Sequence, residues 1–168
     1  IYGGGPETLG FLLAAAGVGA LTSTLYLAGR ATVRGLGRVI AGAATICGLA
    51  LAAFAYVSFY PLALALMIAV GGGVILAAAS VNTILQTIVP DTLRGRVAGF
   101  FTLAFLGMAP LGNLAAGALA TAIGVQATYL LNGLVAAAAG LLLWRALPAL
   151  RELMRPTYVR LGIIADEA

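Results

Sequence analysis

The chain has 168 residues, 62% of them hydrophobic and 8% charged, with a formal charge of +4; soluble domains carry about 45–50% and about 25%. So few charges cannot cover a water-facing surface, so lipid is the solvent for most of this chain. All nine cations are arginine, histidine is absent and Cys47 is the single cysteine, which excludes an internal disulfide, a Cys/His metal site and any histidine-dependent protease.

The chain opens with Ile1 and a glycine/proline turn to Pro6, with no charged n-region and h-region ahead of it. It is expected to be the carboxy-terminal part of a longer protein. Thr8 is placed to cap the first apolar run, 8–28, which holds no charge after its start; about 20 such residues cross a bilayer core. Ala16, Ala20, Thr24 and Ala28 repeat at four-residue spacing, a small-residue face for a close helix neighbour. Arg30, Arg34 and Arg38 then form a basic loop. The second run is 39–59, with Tyr56, Phe59 and Tyr60 at its end as an interface belt, and Pro61 is read as a tight neutral turn. The third run, 62–89, is long, with a bend expected at Gly71-Gly72-Gly73, and Pro90 ends it. The polar stretch Pro90–Arg96 leads into the fourth run, 97–122. Pro110 lies inside that run, where it removes a backbone hydrogen bond and kinks the helix. The fifth run is 126–146, closed by Trp144 and Arg145. Residues 147–168 form a tail, in which Leu147, Leu150, Leu153 and Met154 alternate with Arg151, Glu152 and Arg155, the pattern of a short amphipathic helix on a headgroup surface.

The fold class is therefore all-α, a polytopic bundle of five transmembrane helices over 1–146 followed by the tail. The basic loops alternate with neutral ones, and all nine arginines fall on one side. Arginine-rich loops stay in the cytoplasm, so the first residue is expected outside a plasma (inner) membrane and the last residue inside. A basic balance also suits nucleic acid, but these arginines sit at the ends of apolar runs and are not interleaved with aromatics; no nucleic-acid partner is expected.

Read on that frame, the motif Pro90-Asp91-x-x-Arg94-Gly95-Arg96-x-x-Gly99 resembles the loop between helices ten and eleven of major facilitator superfamily transporters. Gly107-x-x-Pro110-x-Gly112 resembles the glycine–proline pattern of their eleventh helix. Gly37-Arg38 after Arg34 resembles the end of their basic loop between helices eight and nine, although the acidic residue usual there is missing. The stretch from Asn82 to Gly117 looks most like the enterobactin-exporter-like and multidrug-efflux group. The resemblance implies helices eight to twelve of a twelve-helix transporter, in which two halves rock about a central site. Its partners would be the lipid bilayer, the missing amino-terminal half and a small-molecule substrate.

No charge lies well inside a span. Such residues mark ion paths, so a coupling carboxylate is expected elsewhere in the protein. No catalytic residue, metal site or cofactor is expected, and the glycine triplet lacks the Lys-Ser/Thr of a nucleotide loop. Asn82 and Gln86 stand i,i+4 on the third span. They read either as a polar cavity lining near the inner end or as interhelical hydrogen bonding, worth about 0.6 kcal/mol. Ser23 and Thr24 reach a similar depth on the first span and can satisfy themselves on their own backbone. Asn113 pairs with Asn132 or lines the cavity. Asp91, Arg94, Gly95 and Arg96, with Arg34 and Arg38, form a conformational gate loop on the resemblance. The same arginines also suffice to set topology or to bind anionic headgroups. The function expected is efflux of small amphipathic molecules by alternating access. The alternatives are a non-transporting scaffold or truncated inactive product, and an uptake permease of the same superfamily.

Overall fold

The computed structural model describes residues 5–30 and 32–160. Its elements, in order, are α1 (Pro6–Ala28), α2 (Leu36–Phe54), α3 (Tyr60–Ile88), α4 (Asp91–Ile123) and α5 (Val125–Arg160). All five are long and apolar enough to cross a membrane. Their outer faces carry large exposed apolar side chains such as Leu13, Phe100, Leu114 and Leu142. A water-soluble monomer rarely exposes so much apolar area, whereas lipid solvates it.

Helix ends depart from the hydropathy boundaries where local backbone chemistry overrides hydropathy. α1 begins at Pro6, with Gly5 as its N-cap and Glu7 in its first turn, so Thr8 lies inside the first turn and does not cap. Proline suits the first turn because the N–H it lacks has no helical partner there. For the same reason Pro61 belongs to the first turn of α3 and is not the turn itself; residues 55–59 make that connection. α2 ends at Phe54, and the Phe54 ring meets Tyr129 of α5 edge-on at 5.7 Å. The polar stretch after Pro90 is not a loop. Asp91 to Arg96 are the first turns of α4, an arrangement favoured by a carboxylate beside a helix N-terminus. α4 continues through Pro110 as one helix. Gly124 alone separates α4 from α5, at φ 86° and ψ 156°, a conformation that side chains disfavour.

α5 runs without a break to Arg160, through Pro148 and Pro156. The segment read as a separate amphipathic helix is therefore its continuation, and residues 161–168 lie outside the described part of the chain. At 36 residues, α5 is roughly 54 Å long, well beyond a hydrocarbon core of about 30 Å.

The bundle is held together by backbone approach. α3 lies between α1 and α2, and α2 lies between α3 and α5. The glycine triplet is the knot of this packing, within an α3 that is helical throughout from Tyr60 to Ile88. A Cβ on Gly71 would overlap the backbone of Ala16. One on Gly72 would stand 2.9 Å from Ser23 Oγ, and one on Gly73 would stand 2.6 Å from Cys47 Cβ. The contact face of α1 is thus Leu12, Ala15 and Gly19, all buried, while Thr24 and Ala28 of the expected face are exposed. α2 and α5 meet likewise, Gly48 against Gly133 and Ala137, and Gly140 against Thr45. Between helices in lipid there is no hydrophobic gain to collect, so close van der Waals packing must hold them. α4 stands apart from this arrangement. It has no buried residue, and open space surrounds Gly95, Gly99, Gly107, Gly112 and Gly117.

Candidate functional site

The junction of α3 and α4 gathers the polar groups of the central motif. α3 ends at Ile88, and its last carbonyls have no helical partner. Arg94, on the first turns of α4, donates from Nε to the Gln86 carbonyl at 3.0 Å. Its Nη2 meets Asp91 Oδ1 at 2.7 Å, an i,i+3 ion pair. One planar guanidinium therefore joins the negative end of α3 to the acid at the start of α4. Both charges face solvent, at 47% and 86% exposure, so the pair by itself contributes little, at most about 1 kcal/mol. The guanidinium bridges the two helices across the short 89–90 connection. An open groove of about 450 Å³ beside it is lined by Thr83, Gln86, Thr87 and Arg94. The Thr83 and Thr87 hydroxyls donate to the carbonyls four residues before them, at 2.8 and 2.7 Å.

The other expected residues are distributed. Arg96 and Gly95 sit on the exposed side of α4 with Gly99 and Phe100. Arg38 lies on the first turn of α2, just after Gly35, which takes φ 80° as its N-cap. Arg34 accepts a hydrogen bond from Arg30 Nη2 on its carbonyl at 2.9 Å and lines a different cavity from Arg94. Ser23 lines a groove among α1, α2 and α3 with Gly72 and Gly73. Thr24 donates to Ala20 on its own helix at 2.9 Å. Asn82 is half-buried, while Asn113 is exposed on α4 and, among the described residues, has no hydrogen bond to Asn132. Gln86 and Arg94 are thus brought together; Ser23, Asn82 and Asn113 are not gathered into one cavity within this chain. Among the described residues no cluster of acids and thiols could hold a metal.

Sequence reasoning missed two features. One is the Ser80 hydroxyl, fully buried on α3 and without a hydrogen-bond partner among the described residues. The other is a cavity of about 460 Å³ between the start of α2 and the end of α5. The alternation of Leu147, Leu150 and Met154 with Arg151 and Arg155 was its signal, but periodicity cannot say whether an apolar face meets lipid or a neighbouring helix.

Five apolar helices packed through glycine and alanine, with arginines at the helix ends, define a multi-pass membrane protein. The family of transmembrane secretion effectors, within the major facilitator superfamily, matches residues 1–157, and the chain belongs to it. The multidrug efflux pump Tap of Mycolicibacterium fortuitum is 34% identical over 148 residues, covering 88% of this chain and 36% of that protein. The Tap pumps of Mycobacterium bovis and Mycobacterium tuberculosis are 46% identical over 72 residues, 43% of this chain and 17% of theirs. These matches span from about a sixth to little more than a third of the length of the curated relatives. No solved structure matches it.

Proposed function

We propose that the chain forms the carboxy-terminal helices, eight to twelve, of a secondary efflux transporter for small amphipathic molecules, and that it performs no enzymatic reaction. The observation that carries this reading is the family match over residues 1–157, joined to relatives that are multidrug efflux pumps. The bundle's own features agree with it. α4 has no buried residue and carries glycines with open space around them, as expected of a helix that packs on the missing half. Ser23, Asn82 and Asn113 would then line a cavity completed by that half, with Gln86 at its inner rim and Pro110 shaping its wall. The basic helix ends face the cytoplasm in this reading, with the first residue outside.

Asp91, Arg94, Gly95 and Arg96 act as the conformational loop, with Arg34 and Arg38 on the same side. Because Arg94 ties α4 to the end of α3, a change in the α3–α4 angle must break or carry that tie, so the residue biases the balance between inward- and outward-open states. Efflux of a fluorescent amphipathic dye from cells expressing the whole transporter tests this. At equal membrane abundance Arg94→Ala, which loses both the ion pair and the Gln86 bond, should lower efflux about 5- to 10-fold, the effect of losing about 1–1.5 kcal/mol of bias between two states, and Asp91→Asn, which loses the exposed pair alone, by up to about 5-fold. Unchanged efflux in both variants would remove the gate role, and no efflux by the unmodified protein would remove the transporter reading.

A further inference from the structure

We propose that α4 is a strap that swings as one piece about Gly124, with Arg94 as the latch at its far end. The other four helices form a close-packed block, in which α1 packs on α3, α3 on α2 and α2 on α5. α4 is shielded only near its two ends. Val97, Ala98 and Phe101 near its start are half-buried, as are Ala116, Leu119 and Ala120 near its end. Every residue from 102 to 115 between them is exposed, a free length of roughly 21 Å.

The joint at one end is a single residue. The Gly124 N–H donates to the Ala120 carbonyl at 3.0 Å and closes the last turn of α4. The Gly124 carbonyl accepts from the backbone N–H and the hydroxyl of Thr128, at 3.1 and 2.9 Å, in the first turn of α5. Thr128 is buried, so the α5 side of the joint is anchored in the block. Each polar group of Gly124 is thus committed to one helix. While both helices stay intact, a change in the angle between them falls on the φ and ψ of Gly124. These stand at 86° and 156°, a region that essentially glycine alone occupies. A Cβ at this position would meet nothing within 4 Å, so the conformation requires glycine and the packing does not.

The far end is tethered by Val89 and Pro90 and latched by Arg94, which bonds the Gln86 carbonyl of α3. Arg94 lies roughly 45 Å from Gly124 along α4, so a rotation of about 5° at the joint moves it by roughly 4 Å. That parts a bond of 3.0 Å, yet it stays within the reach of a two-residue tether, about 7 Å. The middle of α4 gives up no packing against the block when it moves. One exposed arginine is therefore enough to choose between positions of the strap.

The test is a distance between two spin labels, measured by double electron–electron resonance on the protein as the cell makes it, reconstituted in lipid nanodiscs. The labels sit at Leu25→Cys on α1 and Phe100→Cys on α4, both exposed, in a Cys47→Ala background. Arg94→Ala should broaden the distance distribution or shift its mean by roughly 3 Å, the displacement of position 100 for a rotation of about 5°. Gly124→Ala should shift the distribution with Arg94 intact, because alanine leaves this region of φ and ψ. Gly117→Ala, at another glycine of α4 with open space around it, should leave the distribution unchanged. A second label pair within the block, Leu25→Cys and Leu142→Cys, both exposed, should not respond to Arg94→Ala. An unshifted, equally narrow distribution in Arg94→Ala would overturn the proposal, since α4 would then be fixed along its length. Equal distributions in Gly124→Ala and Gly117→Ala would overturn the joint. An equal response of the pair within the block would mean that the whole bundle loosens, and would overturn the strap. A monodisperse gel-filtration peak checks folding, and the Arg94→Ala arm decides by itself if Gly124→Ala does not fold. None of these measurements needs efflux, so the strap stands or falls apart from the transport reading.

Discussion

Arg94 spans two helices because guanidinium presents several donors in one rigid plane. An ammonium at the same position is a point charge. Arg94→Lys should therefore keep either the Asp91 pair or the Gln86 carbonyl but not both, and efflux should fall between the native value and that of Arg94→Ala. An Arg94→Lys variant equal to native in the dye assay would show that charge alone suffices. Ser80 makes the opposite case. Its hydroxyl is buried and, among the described residues, unpartnered, and such a group costs about 1–3 kcal/mol of desolvation. Ser80→Ala should leave thermal unfolding in detergent unchanged or raise stability by up to about 1 kcal/mol. A clear loss of stability would mean the hydroxyl holds a bond that this arrangement lacks.

At the scale of elements, small residues act by position and not by composition. Gly17 and Gly19 are both on α1, yet a Cβ on Gly17 meets nothing within 4 Å, while one on Gly19 would run into the Ile68 carbonyl of α3. Gly17→Ala should be neutral. Gly19→Ala should cost about 1–3 kcal/mol through overpacking, read as a lower unfolding midpoint. The same reasoning places Gly133→Ala with Gly19→Ala, because its Cβ would overlap Ala52 of α2. Equal midpoints for Gly17→Ala and Gly19→Ala would show that α1 does not pack on α3 this closely.

For the whole molecule, the question is which way the bundle faces. Single cysteines in a Cys47→Ala background answer it, at Thr32 between α1 and α2 and at Ser58 between α2 and α3, both exposed. In intact cells a membrane-impermeant maleimide should label Ser58→Cys and reach Thr32→Cys only after permeabilisation, since arginine-rich loops stay in the cytoplasm. The reverse pattern would invert the orientation.

Existence, number and order of the five helices follow from hydropathy, because burial of backbone polar groups in lipid leaves a helix as the only way for a single segment to cross. The motif around Asp91 and Arg94 carried the family by its wording alone. Hydropathy also hinted at the cavity, through leucines and arginines sharing the end of α5. What it could not supply was partner and phase. Gly17 and Gly19 are both small, but only packing against α3 selects which face of α1 turns inward. Pro61 and Asp91 read as turn residues in isolation, yet both suit a helix's first turn, where a missing N–H costs nothing and a negative charge helps. Trp144 and Arg145 read as the end of the last span, but α5 continues past them through Pro148, with Leu147 buried against α2 on the way. Lipid decided in the sequence that these segments would be helices; contact between backbones, which no single helix contains, decided which of their faces meet and where a cavity is left.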